Sequence, residues 1–404
     1  LGYDVVIVGA GPVGASLACG LCHAGVSSAL VEARPPAAPG AAAGDARPIA
    51  LALGSKRILE TLGAWQRVSA QATPIRRIHV SDRGHFGFTR LAAVDHEVEA
   101  LGYVVGADML GRTLEALLAS QSGLMLVRPA EVQAVALEGS GVRVELQTAG
   151  ERRCVRARLV VVADGGRSRV RRALGIGVRT HSYHQVAVVA RVTPEQAHRH
   201  TAYERFTDTG PLALLPMGGR DCGLVWSVGP GEGERLLALD DAGFLEALQR
   251  CFGRRLGVFR EVRGRGLHPL ELVRSREQVR SRVAVIGNAA HQLHPVAGQG
   301  LNLGLRDAAA LTEVVAGALR AGEDPGALTT LERYAAWRHG DQRAVTWFTD
   351  ALARLFSNDL QPLAHGRDLG LLALDLVPPL KHGLAWRAMG LAGRQSRLAR
   401  GLRP

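Results

Sequence analysis

The first 32 residues constrain the fold more than any other part of this chain. Residues 3–8 form an apolar run of strand length. Gly9, Gly11 and Gly14 follow as G-x-G-x-x-G, a helical pattern runs to about residue 24, and residues 28–31 form a second strand that ends at Glu32. A strand, a glycine turn, a helix and a parallel strand make a β-α-β unit, which needs a parallel sheet covered by helices. The glycines permit a tight turn, close approach to a diphosphate and close packing of helix on strand. Glu32 stands 18 residues after Gly14, near the separation of about 20 at which an acid meets ribose hydroxyls. The unit predicts a Rossmann-like domain that binds a dinucleotide. A plain glycine turn is the competing explanation; the strand before it, the helix after it and the acid beyond weigh against that.

A second constraining segment, residues 283–308, reads VAVIGNAAHQLHPVAGQGLNLGLRDA. Its apolar run ends at Gly287. A loop of small and polar residues leads to Gly298, Gln299 and Gly300, where an amphipathic helical pattern begins. Glycines let a backbone approach a flat ligand. A helix start aims unpaired N–H groups and a positive dipole end at it. That combination suits a ring that must hold negative charge. Between the two segments, VVVADGGRSRVRRA at residues 160–173 reads as a strand, then Asp164-Gly165, then a basic helix. Arg169, Arg171 and Arg172 are expected on a solvated face of that helix.

The remaining pattern is mixed. Residues 35–48 read as a loop, and residues 55–62 and 107–119 as helices. Strands are expected at 75–80, 86–91, 124–127, 132–137, 142–146 and 155–162. From 184 to 270 the chain is strand-rich and antiparallel in character, with candidates at 185–192, 212–216 and 223–228 and short helices near Glu232 and Asp241. The α/β pattern returns at Arg282, so the first domain is discontinuous in sequence. After Asp307 a helical chain is expected to the end, with breaks near Asp324 and Pro378.

In this order and these surroundings, the three motifs resemble those of class A flavoprotein monooxygenases of the p-hydroxybenzoate hydroxylase fold. Ala18 and Gly25 extend the first motif as in FAD-binding chains. Asp164 to Arg171 resembles the family's D-G-x-x-S-x-V-R. Gly287 to Ala308 resembles its flavin-contacting motif, with Asn288 where Asp is usual. Asp45-Ala-Arg-Pro-Ile-Ala-Leu, GPLALLPM at 210–217 and HPVAGQGLNLGLRD at 294–307 are similar to the ubiquinone-biosynthesis hydroxylases. Asn288 itself resembles the 2-polyprenyl-6-methoxyphenol hydroxylase branch. Asn still hydrogen-bonds to ribityl hydroxyls or phosphate without adding negative charge.

This resemblance implies an α/β architecture with an α+β insertion. A Rossmann-like FAD-binding domain would comprise residues 1–72, 100–180 and 271–345. An inserted antiparallel-sheet substrate domain would take 73–99 and 181–270, and a helical region 346–404. FAD would be held non-covalently by Gly9, Gly11, Gly14, Glu32, Arg34, Arg47, Arg112, Asp164, Gly287, Asn288, Gly298, Gly300, Leu301 and Asn302. Arg47, Pro295, Gly298 and Gln299 would lie nearest the reaction. NAD(P)H would be the co-substrate, visiting without a domain of its own. Reduced FAD would react with O2 to give a C4a-hydroperoxide whose distal OH passes to an electron-rich ring carbon. The substrate would be a polyprenylated methoxyphenol, placing the chain in ubiquinone biosynthesis. His291 is either a proton relay or a buried hydrogen-bonded histidine. Leu212, Leu214 and Pro216 either line a channel for the tail or belong to the sheet core. No general base is named.

Other functions stay open beside this one. Another aromatic substrate is the first. A flavin-dependent halogenase is disfavoured because none of the five tryptophans sits in W-x-W-x-I-P. A prenyl reductase would consume no O2. A non-catalytic flavoprotein subunit of a quinone-biosynthesis complex is motivated by Asn288 and the basic C-terminus. From residue 380 to 404 there are six Lys and Arg and no acid; Leu384, Trp386, Met389 and Leu391 punctuate them. That segment reads either as an amphipathic helix on a lipid surface or as a solvated terminal helix or partner contact. The net charge of +12 comes almost wholly from Arg. With aromatics at 4% and no basic run interleaved with them, nucleic-acid binding is not expected. Five scattered cysteines fit a reducing compartment. Cys19 and Cys22 are read as buried small residues, and no metal is expected. The first strand begins almost at residue 1, which reads as a chain without a leader. The expected location is cytoplasmic, with a peripheral contact at the inner membrane left open.

Overall fold

The computed structural model describes residues 2–36, 47–84, 87–294, 296–355, 370 and 375–404. Asp45, Phe86 and Pro295 lie outside them.

Three sheets organise the chain. The first has Gly2–Val8 at its heart, parallel to Arg152–Val162 on one side and to Ser28–Val31 on the other. Leu124–Val127 and Val283–Val285 extend it, both parallel. An antiparallel hairpin, Glu131–Glu138 with Gly141–Gln147, folds back on Arg152–Val162. Val5 and Ile7 face one layer and Val6 and Val8 the other, all of them buried. A central parallel strand covered on both faces reads as a continuous apolar run rather than an alternating one, and residues 3–8 read that way.

The helical layer over Val5 and Ile7 is built from Pro12–His23 and Gln299–Arg320. Gln299–Arg320 is buried nearly all round because Leu328–Leu355 covers its outer side. That cover needs a polar anchor. Asp307 is fully buried; it accepts from Arg338 Nε at 2.6 Å and from Gln342 Nε2 at 3.1 Å, and His291 Nε2 stands 3.1 Å from its other oxygen. Arg338 and Arg306 also both reach Asp341. Burial alone would raise the Asp307 carboxyl, but Arg338 and His291 outweigh it and hold it at about 2.

The second sheet is the inserted one. Two strands of 17 residues each, Val178–Pro194 and Phe259–Ser275, pair antiparallel along their length. Cys222–Val228, Gly210–Pro216 and Thr201–Thr207 follow, and then Arg77–Asp82 and Phe88–Ala92 from earlier in the chain. One face packs on helices Pro230–Ala238 and Asp241–Phe252 through Val188, Leu212, Leu214, Leu224 and Trp226. The strand period of two settles the question for Leu212 and Leu214. Leu212 and Leu214 are core, while the alternate residues Ala213 and Leu215 turn the other way.

A small third sheet, Pro48–Ala52, Gly102–Gly106 and Thr73–Ile75, straps the first two together. Thr73–Ile75 therefore belongs to this strap and not to the inserted sheet. The C-terminal segment also departs from a free helix. Pro378–Ala388 is helical, but Ala385, Met389, Leu391, Leu398 and Ala399 are buried in the core around Pro12–His23. Met389 and Leu391, which a lipid-surface helix would turn to the membrane, face the protein core. Among the described residues no helix is long and apolar enough to cross a membrane.

Candidate active site

The three motifs meet at the carboxyl ends of the parallel strands, where open α/β sheets bind ligands. Glycines make the meeting close. A Cβ on Gly14 would stand 2.0 Å from the Gly9 carbonyl oxygen, so only Gly lets Pro12–His23 start against that strand. A Cβ on Gly9 would stand 2.6 Å from the Ala163 carbonyl, which brings the first motif against the second. Val13 packs on both Gly287 and Gly304, which joins the first motif to the third.

These contacts surround one cavity of about 1370 Å³, larger than the usual range of about 300–1,000 Å³ for a small-ligand pocket. Gly9, Gly11, Glu32, Arg34, Arg47, Asp164, Asn288, Gly298, Gln299, Gly300, Leu301 and Asn302 all line it. Gly14 and Gly287 lie behind the lining in the packing just described. Arg112 lies outside it as well, exposed and paired with Asp108 at 2.9 Å. Pro295 is among the residues not described.

The lining residues divide by what they already do. Glu32 accepts from the Ala10 N–H at 2.7 Å and the Arg34 N–H at 2.9 Å, so it shapes the glycine loop. Asn302 accepts from Ala52 N–H and donates to the carbonyls of Ala50 and Gly298. Its amide thereby ties the strap to the start of Gln299–Arg320. Gly298 caps that helix in the left-handed region at φ 60°, with no side-chain cap and no acid in the first turn. The first N–H groups and the positive end of the dipole are left facing the cavity. His294 is fully buried, and its Nδ1 accepts from Val296 N–H, which shapes the loop leading to Gly298.

Arg171 departs from the expected solvated face. It is 4% exposed and donates to the carbonyls of Ala289 and Gly166. The second and third motifs are clamped by this one guanidinium. A helix of five residues, Arg169–Ala173, is too short for its hydrophobic period to show which arginine turns inward. Arg128 and Arg167 were also missed, and both line the cavity. Arg128 donates to the carbonyls of Arg34 and Pro35 and pairs with Glu115. No local pattern marks either. His291 is buried, with its Nε2 3.1 Å from an Asp307 oxygen.

These residues fit a flavin dinucleotide. Asp164 Oδ1 is buried with no hydrogen-bond partner among the described residues, an acceptor aimed at a site that wants a hydroxyl. A Cβ on Gly11 or Gly300 meets nothing within 4 Å of protein, so the surface there is open to a ligand. Beyond the helix start, the cavity continues under the inserted sheet as a chamber walled by Ala187, Val189, Phe206, Ala213, Leu215 and Val225. A dinucleotide cradle that opens at its ring end into an apolar, ring-sized chamber defines a flavoprotein that acts on an aromatic molecule.

Residues 2–349 match the family model described as FAD binding domain, and the chain belongs to that family. Along nearly its whole length it is similar to the ubiquinone hydroxylase UbiL of Rhodospirillum rubrum, 41% identical over 99% of this chain and 93% of that protein. It is 33% identical to the 3-demethoxyubiquinol 3-hydroxylase of Escherichia coli, over 96% and 98% of the two chains. Among solved structures, p-nitrophenol 4-monooxygenase from Pseudomonas putida superposes with a TM-score of 0.79 at 18% identity, covering 98% of this chain and 99% of that one. The fold is that of the FAD-dependent aromatic hydroxylases, and the chain is an FAD-dependent monooxygenase.

Proposed function

We propose that this enzyme hydroxylates the ring of a polyprenylated methoxyphenol in ubiquinone biosynthesis, with NAD(P)H as reductant and O2 as the source of the oxygen atom. The observation that carries this is the continuity of the dinucleotide cradle with the apolar chamber under the inserted sheet. Similarity to the ubiquinone hydroxylases over nearly the full length supports the choice of ring.

FAD, when bound, supplies electron storage and O2 activation. The chain supplies the rest. Gly9, Gly11, Glu32, Arg34 and Asp164 hold the ribose and diphosphate end. Arg47, Asn288, Gly298, Gln299, Gly300 and Leu301 surround the ring, and the open helix start favours negative charge on it. Asn302 and Arg171 position these segments. The chamber excludes water and orders the substrate ring. The division proposed is 1–72, 100–180 and 271–345 around FAD, with 73–99 and 181–270 over the substrate apart from Thr73–Ile75, which pairs in the strap.

Purified protein should be yellow and release FAD on denaturation. With NADH, O2 and a short-chain prenyl methoxyphenol it should yield the hydroxylated ring, identified by mass spectrometry across a panel of phenols. Well-folded protein that binds no FAD would overturn the assignment. A preference for unprenylated phenols would overturn the substrate class.

A further inference from the structure

The strand Thr201–Thr207 sends Ala202, Glu204 and Phe206 to the face that lines the chamber. Glu204 is the only carboxylate that the second sheet contributes to the lining among the described residues. Its neighbours across the sheet are Ala213 on one side and Val80 on the other. No hydrogen bond or ion pair engages it among the described residues. Glu204 is partly buried and opens into the cavity rather than onto a protein partner, a placement that leaves it free to meet a ligand.

Its place along the strand supplies one. Ala202, one step away on the same face, packs in a cluster with Ala50, whose carbonyl is held by Asn302 and whose Cβ faces Gly298. Phe206, one step the other way, packs on Val296 in the loop that leads into Gly298. Same-face residues on a strand are separated by about 7 Å. Glu204 thus hangs between the two segments that flank the ring end of the cradle, over the chamber where a substrate ring would lie.

We propose that Glu204 is the catalytic base that takes the proton of the substrate's phenolic hydroxyl. This rests on the substrate being a phenol. The O–H bond breaks, the proton passes to a Glu204 carboxylate oxygen, and the electron pair stays on the phenolate and enriches the ring carbons that receive oxygen. After oxygen insertion, the ring carbon gives up its own proton to water, the C–H electron pair returns to the ring, and aromaticity is restored. Glu204 then returns its proton to the phenolate oxygen, so it ends each turnover ionised.

The surroundings suit the task. Burial pushes the Glu204 carboxyl up to about 7, with no neighbouring charge contributing. A base is most effective when its affinity for protons lies near the working pH. His268 also lines the cavity, from Phe259–Ser275. Tyr203, next in sequence, packs against the helical layer and also borders the cavity. From Leu328–Leu355 the cavity receives Phe348 and Leu352, which carry no charge.

The test compares wild type with Glu204→Gln and Glu204→Asp as FAD-loaded enzymes. The Gln variant should keep its FAD and its NADH oxidation, yet form hydroxylated product more slowly by on the order of 100-fold. The rise of the wild-type rate through about pH 7 should vanish, and Asp should restore part of the rate. A second readout uses 4-nitrophenol, whose phenolate is coloured. Bound to wild type, its ionisation should be coupled to Glu204, and the Gln variant should shift the midpoint by about tenfold in proton concentration. Coupled nitrophenol ionisation without hydroxylation of the prenyl phenol leaves the base standing and removes the substrate assignment. Wild-type product formation with an unchanged pH profile in Glu204→Gln overturns the base.

Discussion

Gly11 and Gly14 stand three residues apart in one motif, yet the structure assigns them opposite liabilities. Gly14→Ala drives a methyl to 2.0 Å from the Gly9 carbonyl oxygen. Neither the strand nor the helix can yield without separating, so the apo-protein should lose about 1–3 kcal/mol or more, as overpacking does. Gly11 sits at φ −61° and ψ 173°, where alanine is comfortable, and its Cβ meets no protein atom within 4 Å. Gly11→Ala should leave apo stability unchanged or raise it by about 0.4–1 kcal/mol, because the unfolded chain loses freedom. The methyl then occupies the approach of the diphosphate. Loss of one charge-assisted hydrogen bond there, about 1.5–3 kcal/mol, weakens FAD roughly 10- to 150-fold. Urea unfolding of FAD-stripped protein measures the first quantity, and flavin fluorescence titration the second. A Gly11→Ala variant with wild-type FAD affinity and a destabilised apo form would refute the reasoning.

Three further outcomes follow from the same geometry. Asp307→Asn removes the acid that faces Arg338 and His291, and breaking such a buried pair should cost about 3–5 kcal/mol in urea unfolding. Because folding lowers the Asp307 carboxyl from 3.8 to about 2, its contribution of about 2 kcal/mol is complete above the unfolded value and disappears as pH falls toward about 2; acid unfolding of the Asn variant should lack that component. Asn302→Ala strands the buried Ala52 N–H and Ala50 carbonyl, so stability should fall by about 2–3 kcal/mol and FAD affinity with it, measured by the same two assays. Burial pushes the thiols of Cys19 and Cys222 up to about 12, so near neutral pH iodoacetamide should label exposed Cys154 and spare both until the protein unfolds, as peptide mapping would show.

Much of this was legible where one segment carries its own signal. The strand, glycine turn, helix and acid of the first 32 residues, and the glycine-rich helix start at Gly298, state their geometry locally. Tertiary choices were not legible. Residues 210–216 alternate between two apolar faces, and both faces are buried, so composition could not tell core from cavity at Leu212 and Ala213. Arg171 looks like its neighbours Arg169 and Arg172 until the turn at Ala289 comes against it. The C-terminal basic segment has the composition of a surface helix, but the site it fills on the Pro12–His23 core is made by distant residues. Glu204 was invisible for the same reason. Nothing beside it in sequence reveals that Ala50 and Val296 approach from opposite ends of the chain.

The proposed reaction places one oxygen atom from O2 on an aromatic ring at this site. Turnover of the FAD-loaded enzyme with NADH and a short-chain prenyl methoxyphenol under isotopically heavy O2 measures that directly by mass spectrometry. The expected product carries one heavy oxygen atom and forms in step with NADH consumption. Product oxygen drawn from water, or NADH oxidation that yields only hydrogen peroxide and unchanged phenol across a panel of aromatic substrates, would contradict it.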